Sequence, residues 1–454
     1  MTIKVKNGVP VWVRRRWARA AALGTASALA LSLAACSTEG NPGDVTINIP
    51  LVTGSGAQTA LTQIARDFEE ENPGIKVNVE FLNNNGGSDI VAARLAAGAV
   101  DITQGSTGYA NSVVPAEQWV LDGGGTDSQW IQEVRAGQWL DLSDEPFIDR
   151  YDQGAIDALR VDGGVYVVPI SQQLSSGVFY NVDLFEQAGV EVPTTYSEFV
   201  DVVDTLQAAG VLPFAIGGKD VWPASIAVLG PMNALYPTRE AQLDLSERLW
   251  TGETDFDSPE MVAVMEQVKM IYDNADPNFA GIEYTTAQGQ FANGQAAMTL
   301  DGTWGAETYL TANPDLNLGY FAYPGSENAE QNAHFGGRLD TAFAIPVNAP
   351  HPNEAKKFIE YFSTPDVYEY FIQVSGTIPT QPNVQASEIL AAVQPALANP
   401  FITAWDWTFN QHAEGTISET GFNYKNLAPM GSLQTPEEAQ QATQEEWAAA
   451  LRLN

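Results

Sequence analysis

Strand-like and helix-like segments alternate over residues 45–102, and this order constrains the fold more than any other feature of the chain. Residues 45–51 and 75–81 alternate β-favouring and polar side chains, while apolar residues between them recur at helical spacing. Residues 90–97 predict a second helix and residues 100–102 a third strand. The order predicts an α/β layer with a mainly parallel sheet. Its ligand-binding loops would follow the carboxyl ends of the strands.

The N-terminus has the composition of an export signal. Six basic residues lie within the first 19, an apolar run follows as far as Leu33, and Ala34-Ala35 precede Cys36. The run is shorter than the roughly 20 residues of a membrane-spanning helix. Small residues before the chain's only cysteine resemble a bacterial lipobox, in which that cysteine is lipidated. We therefore expect a lipoprotein signal peptide over residues 1–36, with Cys36 lipidated, and a spacer over residues 37–43.

Charge and composition narrow the classes of protein that the exported part can represent. Beyond Cys36 the chain carries 15 basic and 56 acidic residues, a formal charge of −41. Such a surface repels nucleic acid and anionic lipid, so neither is an expected partner. The 44% hydrophobic and 10% aromatic content favours a packed core over disorder. No cysteine follows Cys36, so no disulfide framework is expected, and the length suggests two lobes.

Five segments carry a resemblance to a known family. The segments are YVVP at 166–169, YNVDLF at 180–185, PTTYSEF at 193–199, FANGQAAM at 291–298 and EAKKFIEYF at 354–362. Gly302-Thr303-Trp304 follows the fourth segment, and GTIP at 376–379 and PEEA at 436–439 follow the fifth, so that the matches together span most of the exported chain. In these segments and their order the chain resembles the extracellular solute-binding proteins, family 1, of ATP-driven importers, the group that contains maltose-binding protein. Tyr196 stands where that family usually has tryptophan.

The resemblance implies a two-lobed periplasmic-binding-protein fold of type II. Each lobe would be a mainly parallel sheet flanked by helices, with hinge strands between the lobes, and the ligand would bind in the cleft as the lobes close. We expect the chain to cross between lobes near residues 171–173, 335–338 and 388–396. The N-lobe would comprise residues 44–171 and 338–388, and the C-lobe residues 172–337 and 389–454.

A cleft for sugars needs flat aromatic rings for the apolar sugar faces and polar side chains for the hydroxyl groups. The resemblance puts Trp304 at a stacking position of the family. Trp405, preferred over Trp407, falls near a second stacking position, and Trp222 lies where the C-lobe would line the cleft. The alternative for each ring is a place in the hydrophobic core.

Polar candidates lie at the predicted crossings and strand ends. Gln173 aligns with an acidic ligand-binding residue of maltose-binding protein, and its amide both donates and accepts hydrogen bonds. Arg338 could contact vicinal hydroxyls or pair with Asp340. Asp101 fits ligand binding and loop organisation equally well. The remaining candidates are the loop residues Ser55, Asn84, Gln104, Ser106 and Tyr109.

The sequence thus predicts a receptor rather than an enzyme. It would be a monomer anchored at the outer face of the cell membrane, bind a carbohydrate (an oligosaccharide by expectation) without cofactor or metal, and deliver it to the permease subunits of an ABC importer. A non-sugar solute such as a polyamine, metal complex or peptide is the alternative for the same fold. An exported glycan-active enzyme is the other alternative, although the chain lacks G-x-S-x-G, H-E-x-x-H and P-loop motifs and its three histidines are scattered.

Overall fold

The computed structural model describes residues 44–52, 55–82, 87–105, 129–391, 393–394, 402–405, 409 and 420–451. The predicted signal peptide, Cys36 and the predicted spacer lie outside this range. All described residues belong to one compact unit of the chain, Asp44–Asn454. Within them, no helix combines the length and apolarity needed to cross a bilayer.

Helices and strands alternate through the described chain. The helices are α1 (Ser55–Glu71), α2 (Gly87–Ala96), α3 (Gln129–Arg135), α4 (Gln153–Ala158), α5 (Val182–Ala188), α6 (Tyr196–Ala208), α7 (Trp222–Leu235), α8 (Arg239–Thr251), α9 (Pro259–Asp273), α10 (Tyr284–Ala292), α11 (Gly305–Ala312), α12 (Ala329–Asn332), α13 (Pro352–Phe362), α14 (Pro365–Ser375) and α15 (Pro436–Leu451). The strands are β1 (Val45–Leu51), β2 (Ile75–Phe81), β3 (Thr103–Gln104), β4 (Val168–Pro169), β5 (Gln172–Leu174), β6 (Gly177–Asn181), β7 (Leu212–Phe214), β8 (Ala296–Leu300), β9 (Leu318–Ala322), β10 (Gly336–Leu339), β11 (Ala342–Ala344) and β12 (Ile402–Thr403).

Two large hydrophobic cores organise these elements. The first draws on residues 47–170 and 343–372, and includes the edge-on pair Phe68 and Phe358, whose ring centroids lie 5.2 Å apart. The second draws on residues 178–323 and 405–447. Two separate cores are what a two-lobed α/β fold requires.

The sheets are mixed rather than mainly parallel, which differs from the sequence expectation. β1 pairs with β2 in parallel, as predicted, and β7 pairs with β8 in parallel. β11, however, pairs antiparallel with both β3 and β4, and β6 pairs antiparallel with both β8 and β9. β11 returns from a distant part of the chain, so local strand–helix order contains no information about its direction.

A fourth sheet has the order β12-β10-β5, and each of its strands lies in the sequence between residues of the two cores. β5 and β10 are antiparallel, with Arg338 opposite Gln173, and β12 runs parallel to β10. The strands β5 and β10 coincide with two of the segments where crossings between lobes are predicted. We refer to β5, β10 and β12 as the hinge sheet.

Local sequence signals explain several helix ends. Thr195 and Glu198 form a capping box at the start of α6. At the start of α5 the cap is Asn181, whose side chain accepts a hydrogen bond from the Leu184 amide. The turn after α9 is a helix-ending turn, in which Asp276 Oδ1 accepts from the Asn278 amide.

Candidate functional site

Three aromatic side chains meet where elements of the second core begin. Trp222 and Tyr284 are the first residues of α7 and α10, and Trp304 immediately precedes α11. The Trp222 ring centroid lies 4.6 Å from that of Tyr284 and 6.3 Å from that of Trp304. Trp222 is 40% exposed, and Tyr284 and Trp304 are half-buried. We call these three residues the aromatic group; its rings form a partly exposed apolar surface of the kind that sugars stack on.

The orientation of Trp304 is set by a hydrogen-bond relay that ends at a buried carboxylate. Trp304 Nε1 donates to Tyr284 Oη at 2.8 Å, and Tyr284 Oη donates to Asp301 Oδ2 at 2.7 Å. Tyr309 Oη also donates to Asp301 Oδ2, and the Gly302 amide donates to Oδ1. Asp301 is 1% exposed, and burial raises the pKa of its carboxyl to about 6 against the lowering effect of these hydrogen bonds.

The indole of Trp304 also lies directly on the chain at Gly302. A Cβ atom added at Gly302 would lie 1.9 Å from Cζ3 of Trp304, so the close approach requires glycine at this position. The relay holds one edge of the indole and the glycine accommodates its face. Together they fix the ring without burying it completely.

The hinge sheet brings polar groups to the same place. The guanidinium carbon of Arg338 lies 5.8 Å from the ring centroid of Trp304, within cation–π range. Gln173, opposite Arg338 in the sheet, donates from Nε2 to Asp340 Oδ1 at 2.9 Å. Burial raises the pKa of the Asp340 carboxyl, and the charge of Arg338 opposes this rise. The structure thus brings together four predicted residues, Trp222, Trp304, Gln173 and Arg338.

A strained turn positions Trp222. Val221, the preceding residue, has φ 64° and ψ −57°, a γ-turn conformation that is rare for a β-branched residue. Asp220 Oδ2 accepts a hydrogen bond from the Tyr284 amide at 2.7 Å, and Lys219 pairs with Glu283 at 2.5 Å. The turn before α7 is therefore tied to the start of α10.

A small cleft, partly open to solvent, adjoins the aromatic group, and its cavity volume is about 10 Å³. That is about the space of one water molecule, and the walls are mainly apolar. The residues that line it are Ala215, Ile216, Gly217, Pro223, Ala227, Tyr284, Ala287, Gln288, Thr299 and Leu300.

Trp405 does not belong to this site, which corrects the expectation that it stacks on ligand. Its ring is 1% exposed in the second core and lies stacked on Phe409, with 5.2 Å between centroids. Its Nε1 donates to the Thr420 carbonyl. Neither face of the indole is available, so the core alternative holds for this residue.

Asp101 organises the chain rather than facing a ligand. Its carboxylate is fully buried: Oδ2 accepts from the Asn48 amide and Oδ1 from the His351 amide, each at 2.8 Å. It thereby ties β1 to the start of α13. Gln104 is half-buried in β3, opposite Phe343 of β11. Asn84, Ser106, Tyr109 and the side chain of Ser55 lie outside the described residues.

Tyr284 and Asp301 are residues of the site that the sequence prediction did not include. Asp301 lies between the strand that ends at Leu300 and Trp304, so its position next to a candidate ring was a usable signal. Tyr284 is 20 residues from Trp304, and nothing in the sequence indicates that their side chains touch. Among the described residues, no group of three or more His, Cys, Asp or Glu side chains is placed to hold a metal ion.

Comparisons with known proteins agree on one family. The model of the bacterial extracellular solute-binding proteins matches residues 53–369. The multiple sugar-binding protein of Streptococcus mutans is 26% identical over 330 residues, 70% of this chain and 71% of that protein. An uncharacterized ABC transporter extracellular-binding protein of Pyrococcus horikoshii is 24% identical, over 74% of this chain and 71% of that protein.

Solved structures give the same result. The solute-binding protein RafE, solved in complex with raffinose, superposes with a TM-score of 0.71 at 26% identity, covering 89% of this chain and 99% of that one. Its two-domain α/β architecture agrees with the two cores described above. The family model, the relatives and the fold together show that the chain belongs to the bacterial extracellular solute-binding proteins.

Proposed function

We propose that this protein binds a carbohydrate outside the cell and passes it to the permease of an ABC importer, without chemical conversion. The observation that carries the proposal is the aromatic group beside the hinge sheet, where Trp222 and Trp304 lie near the Arg338 guanidinium. A relative named a multiple sugar-binding protein and a neighbour solved with raffinose support a carbohydrate over other solutes.

The chemistry of the site suits a neutral sugar. Indole rings stack on the apolar C–H faces of a pyranose, and guanidinium, amide and carboxylate groups bind its hydroxyls. Gln173 and Asp340 already share a hydrogen bond, so each would exchange part of that pairing for sugar contacts. The formal charge of −41 beyond Cys36 disfavours an anionic ligand at long range.

Closure and delivery complete the proposal. The lobes, divided at the boundaries given above, would close around the sugar by rotation about the hinge sheet. A lipid on Cys36 would hold the receptor at the outer face of the membrane as a monomer. The relative from Pyrococcus horikoshii is named as part of an ABC transporter, which supports permease subunits as the partner.

The test is a ligand panel read by thermal unfolding. The full-length protein is melted with raffinose, other oligosaccharides, monosaccharides, polyamines and divalent metal ions. A ligand at 100 times its dissociation constant adds about 2.7 kcal/mol, which raises the melting temperature by a few degrees. We expect a sugar to give this shift, and Trp304→Ala to abolish it while circular dichroism stays unchanged.

The matched control is Tyr370→Ala. It removes an aromatic side chain that is 38% exposed on α14, a helix that packs on the first core, away from the aromatic group. It should leave the sugar shift intact. A shift given only by a polyamine or a metal ion would overturn the carbohydrate assignment. Chromatographic detection of sugar turnover would overturn the receptor assignment.

A further inference from the structure

We propose that Asp301, acting through Tyr284, is the positioning residue that holds the Trp304 indole in its sugar-stacking orientation, so that sugar affinity depends on the ionisation of Asp301. The proposal rests on the proposed function, since it concerns the ring assigned to stacking. Beyond that function, it assigns a role to Asp301, which itself touches no sugar, and it makes the sugar affinity depend on pH.

The direction of each hydrogen bond follows from the groups involved. An indole N–H can only donate and an ionised carboxylate can only accept. Tyr284 Oη, 2.8 Å from Trp304 Nε1 and 2.7 Å from Asp301 Oδ2, must therefore accept from the indole and donate to the carboxylate. Each bond polarises the next, so the ionised carboxylate strengthens the bond to the indole.

Protonation of Asp301 disturbs this arrangement of donors and acceptors. A protonated carboxyl group is itself a donor, and its oxygens accept more weakly than those of the carboxylate. Oδ2 receives hydroxyls from both Tyr284 and Tyr309, while Oδ1 receives the Gly302 amide. Both carboxylate oxygens therefore already accept hydrogen bonds. A proton added to either one weakens the hydrogen bond from Tyr284 Oη to Oδ2 that keeps Tyr284 in place.

Asp301 is the group of this cluster that changes charge near neutral pH. The groups that face it are Tyr284 and Gln288 from α10, Tyr309 from α11 and Tyr320 from β9. Burial raises the pKa of all three tyrosines above their usual 10, so they stay neutral, and glutamine does not titrate. Burial brings the pKa of Asp301 to about 6.

The experiment follows the Trp304 indole itself and needs no ligand. Full-length protein carrying 15N-labelled tryptophan is titrated from pH 4.5 to 8, and the indole N–H signal of Trp304 is assigned as the one missing in Trp304→Phe. We expect this signal to shift with a one-proton midpoint near 6. The shift should vanish in Asp301→Asn and in Tyr284→Phe, which removes the middle hydroxyl and keeps the ring.

Tyr309→Phe is the matched control. It removes the other hydroxyl on Oδ2, a hydrogen bond that lowers the pKa of Asp301, without breaking the path to Trp304. The Trp304 signal should still titrate, with its midpoint moved upward. A Trp304 signal that ignores pH, or that titrates equally in Asp301→Asn and Tyr284→Phe, overturns the proposal.

Sugar affinity is then measured by calorimetry at pH 7.5 and pH 5 with raffinose, or with the panel sugar that stabilises the protein most. Wild-type affinity should fall about three- to tenfold at the lower pH, the change expected for one lost hydrogen bond. Asp301→Asn should show equal affinity at both pH values. If the indole titrates as expected but no sugar binds at either pH, the proposed function fails while the relay stands.

Discussion

The face of Trp304 rests on the backbone of Gly302, two residues earlier in the chain. Cζ3 and Cη2 of the indole lie 1.9 and 2.2 Å from where a Cβ of residue 302 would be. No side chain other than hydrogen allows the ring to occupy this position. The stacking surface of the site therefore depends on the size of a residue that itself offers nothing to a ligand.

Gly302→Ala should displace the indole and weaken sugar binding by about two- to tenfold, the effect of losing one aromatic contact. The backbone at 302 is outside the left-handed region, so alanine itself is tolerated. Calorimetric titration with sugar measures the loss, and a melting curve verifies the fold. Gly289→Ala is the control, since a Cβ there meets open space. Equal affinities for the two variants would contradict this reading of the contact.

Val221→Gly should stabilise the protein by about 1 kcal/mol. Val221 has φ 64° and is 41% exposed, so glycine relieves a strain of about 1–3 kcal/mol and loses little burial. Urea unfolding measures the change. Val192→Gly, at a similarly exposed valine without positive φ, should instead destabilise. A loss of stability in both variants would show that Val221 is unstrained.

The stability difference between Asp301→Asn and wild type should depend on pH. The Asp301 carboxyl has a folded-state pKa of about 6 against its usual 3.8, so between these values the folded protein holds a proton that the unfolded chain has released. The proton on Asp301 therefore contributes about 3 kcal/mol to the free energy of unfolding below pH about 4, and this contribution is lost as the pH rises to about 6. Asparagine does not titrate, so the free energy of unfolding of the variant should rise relative to that of wild type by this amount as the pH increases. Urea unfolding at pH 4, 5, 6 and 7 measures it, and a constant difference would place the folded pKa at its ordinary value.

Asp101→Ala should destabilise the protein without changing sugar affinity. The substitution leaves the buried amides of Asn48 and His351 without their acceptor, which costs about 2–4 kcal/mol in total. Thermal unfolding and calorimetric titration separate the two effects. If the variant had wild-type stability but no sugar affinity, Asp101 would be a sugar-binding residue and not a structural one.

Much of the fold follows from local sequence signals. The strands at 45–51 and 75–81 are predicted correctly because their alternation of side chains is encoded within a few residues. α7 was missed because it is buried on nearly all sides and has no apolar stripe. The antiparallel direction of β11 was missed because its partners lie far away in sequence.

In the candidate site too, features encoded locally are predicted, and contacts between distant residues are not. Trp304 is identified by its motif, and Gln173 and Arg338 by their place at predicted crossings. The burial of Trp405 depends on Phe409 and Thr420, and the relay depends on Tyr284 meeting Asp301 and Trp304 in space. Such contacts arise from packing between separate elements, which residue spacing alone does not encode.

Gln173 and Arg338 stand side by side on β5 and β10, the strands that join the two cores. The groups proposed to hold the sugar are thus part of the connection about which the cores would turn. A rotation of one core against the other must change the geometry of these two side chains, and a sugar that fixes them must restrict the rotation. Sugar occupancy and interdomain angle would then be coupled directly through these two side chains, and no chain of intermediate residues would be needed between them.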